Sequence, residues 1–375
     1  MKISNLYAVN FRNYQACNLK LPSMVNVFFG NNAQGKTNIL EAIFYGAFGM
    51  SHRTTVEEEL TTLSAREMAV GLQYETITGL HNLKIKRWQD LNRAKKEILL
   101  DGVKIRPKEH YGSLNVVMFS PEDLQLIKGE PALRRRFFDM QISQTDPIYY
   151  DLLLKYNRVV QQRNKLLKDV REAGGRPESL VPWNQEFCSL AAKITRKRLE
   201  ALQKLAEIAG SIYAALTSNK EKIEISYELK GNNGELIYDL SVEACTEEFY
   251  RSKLLARQNI DILRGNTGIG PHRDDLSIKL NGMSLKSFGS QGQQRTGALA
   301  LKLSQLEYVY REIGEFPILL LDDVMSELDS QRRGQILLFI NNKIQTFITV
   351  NDKELIPELA DNAYFKITNG IIEEL

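Results

Sequence analysis

Gly30-Asn31-Asn32-Ala33-Gln34-Gly35-Lys36-Thr37 is the stretch from which the rest of this chain is read. It fits the phosphate-loop pattern GxxxxGK[ST] and stands in the context that pattern requires, a strand before it and a helix after it. Met24-Val25-Asn26-Val27-Phe28-Phe29 is a short apolar run ending at Gly30, which reads as a buried strand. Ile39, Leu40, Ile43, Phe44 and Ala47 then recur at helical spacing. In such a loop the glycines let the backbone curl so that successive N–H groups face inward and hold phosphate oxygens. The positive end of the following helix adds to the attraction. Lys36 is placed to reach the β- and γ-phosphates of ATP, and the Thr37 hydroxyl to ligate Mg²⁺. All eight residues, Gly30 to Thr37, are therefore candidate nucleotide ligands.

A phosphate loop needs an acidic partner, and Ile318-Leu319-Leu320-Leu321-Asp322-Asp323 supplies one. The first four residues read as a strand buried on both faces. Two adjacent carboxylates at its end are costly unless they meet a cation. Asp322 is expected to hold Mg²⁺ through water, and Asp323 to orient or deprotonate the attacking water. Two further segments bear on the class. Phe288-Gly289-Ser290-Gln291-Gly292-Gln293-Gln294-Arg295 opens a long helix and forms a second anion-binding turn. A second such turn is useful if Ser290, Gly292 and Gln293 cap the γ-phosphate held by another subunit. Ser326-Glu327-Leu328-Asp329 follows the acidic strand where a dimer-contacting loop would lie, with Asp329 a candidate for the nucleotide across the dimer.

Outward from these motifs the chain changes texture twice. Ile3–Val9 alternates, and Val70–Thr76, Leu80–Trp88 and Lys95–Leu100 read as a β-meander closed by a turn at Asp101-Gly102. Asn115–Phe119 is another apolar run. Asp146-Pro147 then signals a helix start, and two long amphipathic patterns, through Val170 and from Trp183 to Leu216, make an αα-hairpin around Gly174-Gly175 and Pro177. The charged residues Arg158, Arg163, Lys165, Lys168, Arg171, Lys193, Arg196, Lys197 and Arg198 are expected on its exposed faces. A strand at Lys222–Leu229 and a helix around Glu247–Leu263 follow. From Gly265 the α/β texture returns, with strands at Leu276–Leu280 and Ile318–Leu321, a helix over Gln294–Ile313, another over Gln331–Asn341, and a last core strand at Thr346–Val350. The expected architecture is one α/β domain, 1–125 plus 265–375, split by a mostly helical insertion, 126–264.

Composition is compatible with this and names no function. The chain has 375 residues, 43% hydrophobic and 25% charged, within the ordinary globular range. That apolar fraction argues against disorder. No apolar stretch approaches the ~18 residues of a membrane span, and the first ten residues carry no apolar secretory core. Cys17, Cys188 and Cys245 form no close pair and the chain has four His, so zinc is not expected and any metal should be oxygen-ligated Mg²⁺. Reduced thiols point to the cytoplasm. A net charge of +3 and a pI near 8.5 permit a nucleic-acid partner without requiring one.

The order of phosphate loop, helical insertion, Ser-x-Gly-Gln turn, acidic strand and Ser-x-Leu-Asp loop resembles the ABC-type ATPase heads of SMC-like repair proteins. Within them it is similar to the RecF family of bacterial DNA replication and repair proteins. Three stretches carry that likeness: Pro121–Pro131 running into Arg134-Arg135-Arg136-Phe137-Phe138-Asp139, then Gly270-Pro271-His272-Arg273-Asp274-Asp275-Leu276, and Leu320–Asp329. The resemblance covers essentially the whole chain. It implies an ABC-type head with a mixed sheet core and an antiparallel β lobe, plus an inserted arm. It implies an ATP-closed homodimer, with each nucleotide between one phosphate loop and the other subunit's Ser290-Gln291-Gly292-Gln293. It further implies binding at DNA gaps and single-strand/double-strand junctions in the nucleoid, slow DNA-stimulated ATP hydrolysis, and work with RecR and RecO to load RecA.

Departures from the wider pattern shape the expectations. Asp323 stands where Glu is usual, and a shorter carboxylate sits further from the water, so turnover should be slow and suited to a switch. The usual switch histidine is missing, with Thr349 or Asn351 nearest. Ser120–Asp123 occupies the region of the expected glutamine loop. Arg134, Arg135 and Arg136 are candidate DNA contacts, since each neutralised phosphate adds affinity, against the alternative that at least one pairs with Asp139 or Glu130. Arg53, shortly after the phosphate-loop helix, has no assigned partner. The competing readings are the ATPase subunit of a membrane transporter and a P-loop kinase or nuclease-fused ATPase. The basic helices interrupting the ATPase domain argue against the first. The lack of a carboxylate-rich metal domain after Asp352 argues against the second.

Overall fold

The computed structural model describes residues 1–90, 93–230, 236–237, 241–340, 343–356 and 361–375. The chain forms two compact units, Met1–Asp123 with Gln305–Leu375, and Leu124–Ser304.

In the first unit, the alternating N-terminal segment forms the antiparallel sheet β2-β1-β4-β5-β6-β7. Its strands are β1 (Lys2–Phe11), β2 (Tyr14–Lys20), β4 (Glu67–Thr76), β5 (Gly79–Asp90), β6 (Arg93–Leu100) and β7 (Val103–Ile105). Asp101 and Gly102 both take positive φ between β6 and β7, as a tight hairpin turn requires. The second sheet, β16-β15-β3-β14-β13-β8, comprises β3 (Val25–Phe29), β8 (Val116–Phe119), β13 (Ile318–Asp322), β14 (Thr346–Val350), β15 (Asn362–Thr368) and β16 (Ile371–Glu374). All its pairings are parallel except β15 with β16. β13 and β14 are buried throughout, which is why they read as unbroken apolar runs. The helix α1 (Lys36–Phe48) touches strands of both sheets, and so is buried on nearly every side. Buried Gln345 ties the sheets together: its Oε1 accepts the Ile3 N–H at 2.6 Å and its Nε2 donates to the Ile3 carbonyl at 2.8 Å.

The second unit holds α2 (Pro131–Thr145), α3 (Pro147–Ala173), α4 (Val181–Leu216), α5 (Glu247–Arg264) and the first part of α6 (Gln291–Ile313). Its sheet, β10-β9-β11-β12, contains β9 (Ile223–Lys230), β10 (Leu236–Ile237), β11 (Asp275–Leu280) and β12 (Met283–Ser284). The Asp146 side chain caps α3 through the Tyr149 N–H at 3.0 Å, and Gly174 ends it at φ 65°. α3 and α4 pack as the expected hairpin.

Several expectations are corrected here. The second join between units falls after Ser304, well downstream of 264/265. β11 pairs antiparallel with β9, and Leu285, Ala298 and Leu301 pack with Ala209 and Tyr213, so residues 265–304 belong with the arm. β14 is not the last core strand, since β15 follows and pairs in parallel with β3. α2, which carries Arg134–Arg136, escaped the periodicity because its apolar and charged residues are mixed around the axis. Arg163 and Arg198 are not on an exposed face. Arg163 is fully buried on Asp261, Asn184 and Thr267. Arg198 is buried on Asp139, the Tyr227 hydroxyl and the Pro271 carbonyl. Asn341, the expected end of the helix after β13, lies outside the described residues; that helix is α7 (Ser330–Ile340).

Candidate functional site

β3 ends at Phe29 and α1 begins at Lys36, so the intervening loop reverses the chain within a few residues. Gly30, Ala33 and Gly35 all take positive φ, at 144°, 65° and 115°. Gly30 and Gly35 also have no room for a side chain. A Cβ on Gly30 would collide with the Ile367 carbonyl, and one on Gly35 would lie 2.6 Å from the Asn13 amide nitrogen. Glycine is required there by both conformation and space. Asn31, Asn32 and Ala33 are exposed at the loop's crest. The Lys36 ammonium donates to the carbonyls of Gly30 (2.5 Å) and Asn31 (3.0 Å) and to the side-chain oxygen of Asn351 (2.9 Å).

The parallel pairing of β13 with β14 and of β14 with β3 brings the acidic strand to this loop. Asp322 Oδ1 accepts from the Thr37 hydroxyl at 2.8 Å and from the Thr349 hydroxyl at 2.7 Å. Asp323 takes φ 53°, and its Oδ1 accepts from Ser326 Oγ at 2.7 Å. The electrostatics are incomplete on both sides. Burial pushes the Asp322 carboxyl above its usual range, against the hydrogen bonds from Thr349 and Thr37. Burial likewise pushes the Lys36 ammonium below its usual range, against the nearby Asp323 and Asp322. A buried lysine short of negative charge and a buried carboxylate short of positive charge suit a ligand that brings both, a phosphate chain with a divalent cation. Thr37 and Asp322 offer only oxygen atoms, the donor type that Mg²⁺ prefers.

Two turns brace the loop, and neither was legible in the sequence. From the β1–β2 turn, Asn13 Nδ2 donates to the Gln34 carbonyl (3.1 Å) and the Tyr14 hydroxyl to the Gly35 carbonyl (3.1 Å). From the β15–β16 turn, the Gly370 N–H donates to the Gln34 carbonyl (3.1 Å) and the Asn369 N–H to Gln34 Oε1 (2.6 Å). The first pair of contacts spans 21 residues each and the second pair more than 300, so no local pattern announces them. One turn along α1, Glu41 is fully buried and accepts from Arg12 (2.6 and 2.8 Å) and Ser51 (2.5 Å). Burial raises its pKa, but the Arg12 and Ser51 hydrogen bonds and the charges of Arg12 and Arg53 outweigh that and hold it low. Arg53 finds its partners here, Asn38 at 2.9 Å and Glu41 at 3.4 Å.

In the second unit, Ser290 and Gln293 form a reciprocal cap on α6. Gln293 N–H donates to Ser290 Oγ (3.2 Å) and Ser290 N–H to Gln293 Oε1 (2.7 Å). Gln291, Gly292 and Gln293 are thus the first turn of the helix, and Ser290, Gln291 and Gly292 remain exposed. Asp329, in the first unit, caps α7 through the Arg332 N–H at 2.9 Å. The three candidate DNA arginines separate sharply. Arg134 is 6% exposed and grips both oxygens of Asp275 at 2.7 and 2.8 Å, a partner other than Asp139 or Glu130. Arg135 is half-buried on the Asp274 carbonyl at 2.7 Å, and Arg136 is exposed. Among the described residues no group of three or more His, Cys, Asp or Glu is arranged to hold a metal, and no helix is long and apolar enough to cross a membrane. The three cysteines are buried and free.

Residues 2–372 match the model of the RecF/RecN/SMC N terminal domain. The DNA replication and repair protein RecF of Halothermothrix orenii is 39% identical over 99% of this chain and 98% of its own length. That of Natranaerobius thermophilus is 40% identical over 99% and 97%. Among solved structures, the recombination mediator protein RecF-ATPrS in RecFOR pathway superposes with a TM-score of 0.89 at 34% identity, covering 100% of this chain and 98% of that one. An Smc head domain of Pyrococcus furiosus, TM-score 0.56 at 14% identity over 100% of this chain and 96% of that one, shares the fold.

Proposed function

Because this chain belongs to the RecF family of DNA replication and repair proteins, we propose that it is an ATP-switched, DNA-binding recombination mediator. The observation that carries this reading is the meeting of Lys36 with Asn351 and of Thr37 with Asp322, each partner far away in the sequence, around one braced phosphate loop. Solved relatives described as RecF-ATPrS and RecF-ATP in the RecFOR pathway support ATP as the nucleotide.

In this proposal the loop amides and Lys36 hold the β- and γ-phosphates, with Lys36 exchanging its carbonyl and Asn351 partners for phosphate oxygens. Thr37 directly and Asp322 through water would hold Mg²⁺, which would neutralise phosphate charge. Asp323 orients the water. Ser290, Gly292 and Gln293 of a second copy close over the nucleotide, with Asp329 beside it, so that ATP drives dimerisation. Hydrolysis is slow and DNA-stimulated, and the dimer acts at gaps and single-strand/double-strand junctions with RecR and RecO upstream of RecA. Of the arginine triplet, Arg136 is the side chain free to meet DNA phosphates. The protein then works in the cytoplasm, at the nucleoid.

Light scattering with ATP and Mg²⁺, with and without gapped DNA, tests the reading. The parent chain should shift from monomer to dimer with ATP, and more completely with DNA. Lys36→Met should lose the shift and most ATP affinity. A normal ATP-dependent dimer in that variant would sink the assignment.

A further inference from the structure

We infer that Thr349 is a positioning residue of the nucleotide site, its single hydroxyl holding both acidic residues in place; the inference rests on the nucleotide reading above. Thr349 is fully buried, on a strand whose every residue is buried. A hydroxyl there is costly unless it is hydrogen-bonded. Thr346, on the same strand, meets that need locally by donating to the Ile344 carbonyl. Thr349 does otherwise. It lies opposite Asp322 in the β13–β14 register, donates to Asp322 Oδ1 at 2.7 Å, and accepts the Asp323 N–H at 2.9 Å.

A hydroxyl has one proton to give and lone pairs to receive, and Thr349 uses both functions on the two site carboxylate residues. The first bond points the Asp322 carboxylate at Thr37, whose hydroxyl reaches the same oxygen. The second fixes the backbone where Asp323 enters its left-handed conformation. Thr349 does not itself reach the loop in these contacts. It sets the angle at which both carboxylates are presented, as hydrogen-bond partners behind metal ligands do.

Thr349→Val keeps the shape and removes the hydroxyl, and Thr349→Ser restores it. A fluorescent ATP analogue is titrated into each protein in EDTA and again with Mg²⁺, alongside steady-state phosphate release and the nucleotide-free melting temperature. Thr349→Val should bind the analogue in EDTA within twofold of the parent. It should lose about 10–100-fold of the affinity gained on adding Mg²⁺, with a comparable fall in kcat, and Thr349→Ser should recover both. A valine variant equal to the parent in Mg²⁺-dependent affinity and in kcat would overturn the role. So would a serine variant as impaired as the valine one, or an equal loss of binding in EDTA, since either marks general damage to the strand. A parent chain that bound no analogue at all would remove the nucleotide reading and this inference with it. A parent that binds beside an unaffected valine variant removes only the inference.

Discussion

Asp323 shows how much a single residue's backbone says about its task. It sits at φ 53°, a conformation uncommon outside glycine, asparagine and aspartate. The chain adopts it directly after a buried strand, which turns the side chain toward Ser326. Asparagine tolerates the same conformation and keeps an oxygen for Ser326, so Asp323→Asn removes the charge with little disturbance. The variant should bind ATP and dimerise normally, release phosphate at about a hundredth of the parental rate or less, and accumulate as a dimer on DNA. Turnover equal to the parent's would show that Asp323 does not handle the water. At this scale the sequence was legible where a residue type and its neighbours share one local pattern, as for Lys36, Thr37 and the two aspartates. Asn13, Tyr14 and Asn369 were not legible, because their part in the loop depends on which turns the fold brings beside it.

At the scale of an element, α2 separates structural from available charge. Arg134, Arg135 and Arg136 are consecutive, and a helix points consecutive side chains about 100° apart. Arg134 therefore faces β11 and pairs with Asp275, while Arg136 faces solvent. Arg134→Ala leaves the Asp275 carboxylate without its partner and should cost roughly 3–5 kcal/mol in urea unfolding. Arg136→Ala should stay within about 0.5 kcal/mol of the parent. In DNA binding the ranking should reverse, with Arg136→Ala weakening affinity and lowering the salt slope by about one. An unchanged salt slope would remove Arg136 from the interface.

Across the whole molecule, three of the four histidines are enclosed. Burial pushes His52 and His110 down to about 4 and His272 to about 3. An unfolded chain titrates its histidines near 6.5. Between about 6.5 and these folded values the unfolded state holds more protons, so stability rises with pH through that window and is lost as pH falls through it. Each histidine contributes up to about 1.4 kcal/mol per pH unit there. Thermal unfolding at pH 5 should therefore begin well below that at pH 7.5. His110→Gln, which keeps a donor for the Gly46 carbonyl now beside the ring at 2.6 Å, should flatten the dependence by one histidine's share. A melting temperature level from pH 7.5 to 5 would contradict the enclosed, neutral histidines.

The sequence by itself determined the phosphate loop, the acidic strand, the helical hairpin and the family they resemble. Each is a contiguous pattern whose physics is local: a curl of glycines, a run of buried apolar residues, a helical period. Tertiary structure alone decided which residues complete the site and where the units divide. Thr349 meets Asp322 only through strand register, and residues 265–304 join the arm only because β11 pairs with β9. Arg163 and Arg198 are interior charges because distant partners surround them. Burial and partnership are relations between segments far apart in the chain, which a local pattern does not contain.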